Sequence, residues 1–169
     1  MERPKVFISY STSDIAVVRA VANAMRPHAE PRFWGRFQIP GTLAWARIFQ
    51  EIDNCDLMFV IITGSTLNRG LAVGQEVGRA RAKDKVIVPL VSEGIRDSDL
   101  GCLGGITYIR FDPMKPLALL YRVKATVLRL SAYKKRAAML QDQQRKRDLT
   151  FFSVLALGAV AAIANMDDA

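Results

Sequence analysis

Asp56–Val91, DLMFVIITGSTLNRGLAVGQEVGRARAKDKVIVPLV, decides the fold. Leu57-Met58-Phe59-Val60-Ile61-Ile62 and Val86-Ile87-Val88 are continuous apolar runs. A strand without polar alternation is covered on both faces, and such strands belong to parallel sheets. The stretch reads as a buried strand (Leu57–Thr63), a polar loop, a short helix and a second buried strand (Val86–Val91). Glu76 is the only acidic residue from Leu57 to Ala82. Open α/β sheets place their chemistry beyond the carboxyl ends of the strands, so this carboxylate is the first candidate for a functional group.

Upstream, Lys5-Val6-Phe7-Ile8-Ser9-Tyr10 predicts the first strand. Ser11-Thr12-Ser13-Asp14 offers N-caps for a helix with Ile15, Val18, Val21, Ala22 and Met25 on one face, ended by Pro27. A second strand falls near Arg32–Phe37. Pro40-Gly41 then punctuates a loop, and Thr42 caps a helix whose apolar face is Trp45, Ile48, Phe49 and Ile52. Downstream, Ser92–Gly105 reads as loop and Thr107–Phe111 as the last strand. Asp112-Pro113 opens a helix carrying Leu117, Leu120, Val123, Val127 and Leu130. Strands and helices that alternate in this way imply an α/β, doubly wound, five-stranded parallel sheet with right-handed crossovers, simplest in a flavodoxin-like order.

The 169 residues fit one core domain plus an appendage, and half of them are apolar, which excludes a disordered chain. Cys55 and Cys102 lack CxxC spacing, and the single His28 cannot build a metal site with them, so both read as reduced thiols. Met1–Lys5 leads directly into a strand, so no secretory signal is expected. Residues 1–114 carry 14 Lys/Arg against 12 Asp/Glu, whereas residues 115–169 carry 10 against 4. The core therefore lacks the strongly positive face of a nucleic-acid module, and no nucleic-acid partner is expected.

The tail follows different physics. Leu149–Met166 is an uncharged run of 18 residues preceded by Lys134, Lys135, Arg136, Arg145, Lys146 and Arg147. As a helix it would be roughly 27 Å long, against about 30 Å of hydrocarbon. Its strongly apolar residues favour insertion by roughly 3.5 kcal/mol, opposed by Thr150, Ser153, Gly158 and Asn165. The flanking charges imply a single-pass tail anchor with the domain in the cytoplasm. The expected division is a core over 1–130, a basic helical linker over 131–148 and a membrane segment over 149–166. The alternative is an apolar helix packed in an oligomer interface.

Four blocks together resemble the Toll/interleukin-1 receptor (TIR) domains in their bacterial and archaeal form. They are VFISYSTSD (Val6–Asp14), QIPGTLAWARIFQEID (Gln38–Asp53), CDLMFVIITGS (Cys55–Ser65) and VGQEVGRARAKDKVIVPLVSEGI (Val73–Ile95). The resemblance covers roughly Lys5–Leu130 and implies a flavodoxin-like sheet. Some members of that family cleave the nicotinamide–ribose bond of NAD+, in prokaryotes often in antiphage defence. Others are adaptors that bind TIR partners. The resemblance carries the catalytic role to Glu76. It implies a nucleotide pocket lined by Tyr10, Ser11 and Asp14, a stacking face from Trp34 or Trp45, a diphosphate contact from Arg36, the Gly41 loop, and a ribose contact from Ser65. Competing local readings are core packing for Trp45, helix capping for Ser11 and Asp14, and a solvated charge for Arg36. Many members carry a large aromatic four residues before the glutamate, where Ala72 stands here. That departure implies a different pocket wall or lost activity.

The leading expectation is a self-associating NAD+ glycohydrolase that yields nicotinamide and ADP-ribose or a cyclic variant, with NAD+ as substrate and no cofactor. The alternative is a non-catalytic interaction module. A phosphoacceptor receiver would need an Asp at the end of the third strand, where Thr63-Gly64-Ser65 stands. Nucleoside deoxyribosyltransfer remains a neighbour that shares the fold and a glutamate. No P-loop, GxGxxG or HExxH motif is present.

Overall fold

The computed structural model describes residues 3–34, 44–67 and 70–164, with side chains described as far as Lys146. The strands are β1 (Lys5–Ser9), β2 (Glu30–Phe33), β3 (Leu57–Ile62), β4 (Val86–Ser92) and β5 (Ile109–Phe111). The helices are α1 (Ile15–Met25), α2 (Ala44–Asp53), α3 (Gly64–Leu67), α4 (Gly70–Ala82) and α5 (Pro116–Ala164). The sheet is five-stranded and parallel in the order β2-β1-β3-β4-β5. That is the doubly wound, flavodoxin-like order expected from the alternating pattern.

The uninterrupted apolar run of β3 has its cause in this order. β3 lies between β1 and β4, and every one of its residues is buried. Met58, Val60 and Ile62 join one core cluster with Ile48 and Ile52 of α2 and with Val73, Val77 and Ala80 of α4. Phe59 and Ile61, alternating with them, point to the opposite face. The stripes Val18, Val21, Ala22 and Met25 of α1 and Leu119, Val123 and Val127 of α5 are also buried. Each fully buried aliphatic side chain contributes about 1.5–3 kcal/mol.

Helix α4 begins at Gly70 and carries Gly74 and Gly78 in its interior, the latter two each costing about 1 kcal/mol against Ala. Tertiary packing offsets that cost through Val73, Val77 and Ala80. A bidentate ion pair adds to it: Arg79 Nε and Nη2 donate to Asp53 of α2 at 2.7 and 2.5 Å.

Several boundaries differ from the sequence-based expectation. β2 begins at Glu30 rather than near Arg32, because the Glu30 N–H finds the Pro4 carbonyl at 2.8 Å and pairs in register with Lys5. Pro31, unable to donate, is tolerated because β2 is an edge strand. Ser92–Gly105 is not plain loop: 3-10 turns span Asp97–Leu103, anchored by buried Leu100 and Leu103. They break at Gly101, where φ is +51°. The buried face of α5 runs through Leu119 instead of Leu117, which is 79% exposed.

The chain forms two compact units, Met1–Leu128 and Arg129–Ala169. In the second, α5 continues to Ala164. Among the described residues no helix is long and apolar enough to cross a membrane. The side chains of the expected anchor, residues 149–166, lie outside those described.

Candidate functional site

At the carboxyl end of the sheet, β1 finishes on Ser9, paired in register with Val60 of the central strand. Above it runs α4, whose buried stripe Val73, Val77 and Ala80 sets its rotation. Glu76 immediately precedes Val77, so it emerges beside the buried stripe and is half-buried. The Ser9 hydroxyl donates to Glu76 Oε2. Both residues line a cavity of about 200 Å³ together with Tyr10, Trp34, Trp45 and Ala72.

Each wall has a local cause. The Tyr10 hydroxyl donates to the Trp34 carbonyl, and the Tyr10 ring meets Phe33 edge-on at 6.2 Å, so the exits of β1 and β2 are tied together. The Arg47 guanidinium stacks 5.8 Å from the Trp34 ring centroid. Trp45 sits on the first turn of α2, tilted against Phe49 at 5.6 Å. It is 39% exposed and lines the cavity, so the core-packing reading of Trp45 is corrected. The first turn of α2 reaches the sheet edge where the cavity opens, and Ile48 and Ile52 carry the core contacts instead. Ala72 leaves room on the α4 side where a larger side chain would intrude.

Other candidates fall elsewhere. Neither Ser11 nor Asp14 makes a side-chain cap bond, which corrects their capping reading. Ser11 is buried, and Asp14 Oδ2 accepts from Thr63 Oγ1 at 2.9 Å, with Thr66 Oγ1 lying 3.3 Å away. This joins the exit of β1 to that of β3, beside the cavity and not in its lining. Ser65 lies on α3, half-buried, and does not line the cavity. Arg36 and Gly41 lie outside the described residues, although Trp34 and Ala44, which flank that segment, both line the cavity. Sequence reasoning missed Ser9, Thr12 and Ala44. Ser9 had a signal, a single hydroxyl closing an otherwise apolar strand.

Among the described lining residues Glu76 is the only carboxylate, and none is Lys or Arg. The site therefore offers one negative charge and two indole rings. That set can stack a planar ring and stabilise positive charge developing on a neighbouring carbon. A larger groove of about 860 Å³ lies along α2 and β2, lined by Lys5, Arg32, Arg47, Gln50 and Glu51. It is open and shares no described lining residue with the Glu76 cavity.

The TIR domain family model matches residues 6–120. No curated protein matches the chain. Among solved structures, the TIR domain of the Toll-related receptor TRR-2 from Hydra magnipapillata is 17% identical, with a TM-score of 0.55 over 69% of this chain and 91% of that one. A CMP N-glycosidase, BcmB, from Clostridium botulinum is 18% identical, with a TM-score of 0.46 over 72% of this chain and 98% of its own. The TIR domains of the activated Roq1 resistosome recognising the effector XopQ are 11% identical, with a TM-score of 0.49 over 76% and 84%. With the family's pattern matched across most of the chain and the five-stranded parallel sheet in place, this chain belongs to the TIR domain family.

Proposed function

We propose that the protein is an NAD+ glycohydrolase that cleaves the nicotinamide–ribose bond, with Glu76 as its catalytic residue. The observation that carries this reading is the half-buried Glu76 carboxylate, the one carboxylate among the described residues of a cavity that Trp34 and Trp45 also line. Nicotinamide leaves as a neutral ring from a cationic one, so the departing group needs no general acid. What the step needs is a negative charge beside the ribose as its anomeric carbon becomes oxocarbenium-like. Glu76 supplies that charge, and Trp34 or Trp45 supplies a stacking face. Water then adds to the anomeric carbon, giving ADP-ribose and a proton, or a hydroxyl or ring nitrogen of the same nucleotide closes a cyclic product.

The cavity of about 200 Å³ is smaller than the roughly 300–1,000 Å³ of typical ligand sites. It suits the nicotinamide riboside end, with the remainder of the dinucleotide outside it. Self-association through TIR–TIR contacts is part of the proposal. A tail anchor over residues 149–166, with the domain cytoplasmic, would raise the local concentration that drives it. The small cavity and the absence of a described cation in its lining favour a second reading, a non-catalytic module that binds other TIR domains in signalling or defence.

The deciding experiment incubates the full chain with NAD+ at high protein concentration and follows nicotinamide by chromatography. Nicotinamide release that Glu76→Ala reduces by at least about 10³-fold supports the enzyme. Unchanged NAD+ sinks it in favour of the interaction module, and activity that survives Glu76→Ala relocates the site. A chain lacking residues 149–169 should turn over NAD+ slowly unless crowded.

A further inference from the structure

We propose that Ser9 is the positioning residue of Glu76: its buried hydroxyl holds the carboxylate in the orientation that serves the cavity. The role in catalysis rests on the glycohydrolase reading above, whereas the pairing itself does not.

The argument begins with the strand. Val6, Phe7 and Ile8 of β1 are apolar and buried, and Ser9, 1% exposed, ends the strand with a hydroxyl. A hydroxyl taken out of water needs a partner, and this one donates to Glu76 Oε2. The donor is fixed in place. β1 has β2 on one side and β3 on the other, and Ser9 is in register with Val60. A serine at this point has a short side chain with one rotatable carbon–carbon bond, so the sheet transmits its rigidity to the hydroxyl.

The acceptor, by contrast, is poorly restrained by its own helix. A glutamate has three side-chain torsions and takes lateral support from residues three and four positions away. At four positions these are Ala72 and Ala80, too short to wedge the carboxylate. At three positions, Arg79 is engaged by Asp53 through both Nε and Nη2. Ser9 supplies orientation from outside the helix, across the cavity wall. Tyr10 is the only other ionisable side chain among the described lining residues, and its own proton is directed to the Trp34 carbonyl.

Ser9→Ala in the full chain removes one oxygen from a buried site and tests the proposal in two ways. In steady-state NAD+ cleavage, kcat should fall about 100-fold with KM unchanged, the mark of a misplaced group rather than a weakened pocket. Unchanged kcat, or a loss seen only in KM, overturns the positioning role. The second measurement needs no activity: denaturant midpoints for Ser9→Ala, Glu76→Ala and the double variant form a cycle. Non-additive midpoints, with the double variant no worse than the weaker single variant, support the pairing, and strict additivity overturns it. If the wild-type chain leaves NAD+ intact, the glycohydrolase reading fails and the cycle alone decides whether Ser9 holds Glu76.

Discussion

The two ends of the sheet treat their carboxylates differently. At the amino end, Asp53 takes both Nε and Nη2 of Arg79, and its main-chain carbonyl accepts from Lys85 Nζ at 2.7 Å. Arg79 in turn stacks 5.6 Å from Phe49. Nearby, Asp56 Oδ2 accepts the Lys5 N–H that begins β1, at 2.9 Å. At the carboxyl end, the described hydrogen bonds to Glu76 and Asp14 come from hydroxyls: Ser9 to the first and Thr63 to the second, with Thr66 Oγ1 a further 3.3 Å neighbour of Asp14. A carboxylate matched to a guanidinium has its field largely cancelled, and its contribution is a fastening between helices. A hydroxyl donor, by contrast, orients a carboxylate without bringing a formal charge of its own. The described contacts at the amino end fasten helices and strands to one another, and those at the carboxyl end orient carboxylates.

The largest stability effect should come from the hydroxyl network, since Thr66 at its centre is buried. Thr66 is 2% exposed, and its Oγ1 donates to the Ile61 carbonyl at 2.9 Å while lying 3.3 Å from the Thr63 N–H. Thr66→Val keeps the shape and removes these bonds, which should cost about 1–3 kcal/mol in a urea titration. A variant as stable as wild type would show that the turn after β3 is held by packing, and the contrast between the two ends would lose its carboxyl-end half.

Helix α2 spans both ends and allows a smaller, sharper test. Its first turn presents Trp45 to the cavity, while its last residue is Asp53. Loss of a stacking face is worth about 0.5–1.5 kcal/mol, so Trp45→Ala should raise KM for NAD+ roughly two- to tenfold. Stability should change little, because the ring is 39% exposed. A large drop in melting temperature with KM unchanged would return Trp45 to the core.

Which of these features the sequence displays follows from how local their causes are. The runs Leu57–Ile62 and Val86–Val88 reveal central parallel strands because burial on both faces erases alternation, and β3 is buried throughout. Glu76 was legible as the lone acid of its stretch. Trp45 misled because helical periodicity places it with Ile48 and Ile52, and only the tertiary position of the first turn separates them. Asp14 misled for a related reason. Its place before α1 is a cap position by spacing, yet Thr63, 49 residues away, offers the better partner. The single turn α3 also escaped notice, since it is held by Thr66 and Leu67 N–H groups donating to the Thr63 carbonyl, without an apolar period. Long-range hydrogen bonds leave little trace in a single chain's pattern, whereas two-sided burial leaves a strong one.

Asp53→Asn should give the smallest effect, and its pH dependence identifies it. The hydrogen bonds from Arg79, with the added charges of Arg79, Lys83 and Lys85, hold the Asp53 carboxyl below its ordinary value of 3.8, against an opposing contribution from partial burial. The folded chain therefore binds a proton at Asp53 less readily than the unfolded chain does. The ion pair's stabilisation is complete above about pH 3.8 and is lost as the pH falls through the lower folded value. Urea midpoints measured from neutral to strongly acid pH should show Asp53→Asn less stable than wild type near neutrality, with the two curves converging in acid. Curves that stay parallel to the lowest pH would mean that the Asp53–Arg79 pair adds nothing through its charge. The amino end would then depend on the packing of Arg79 over Phe49.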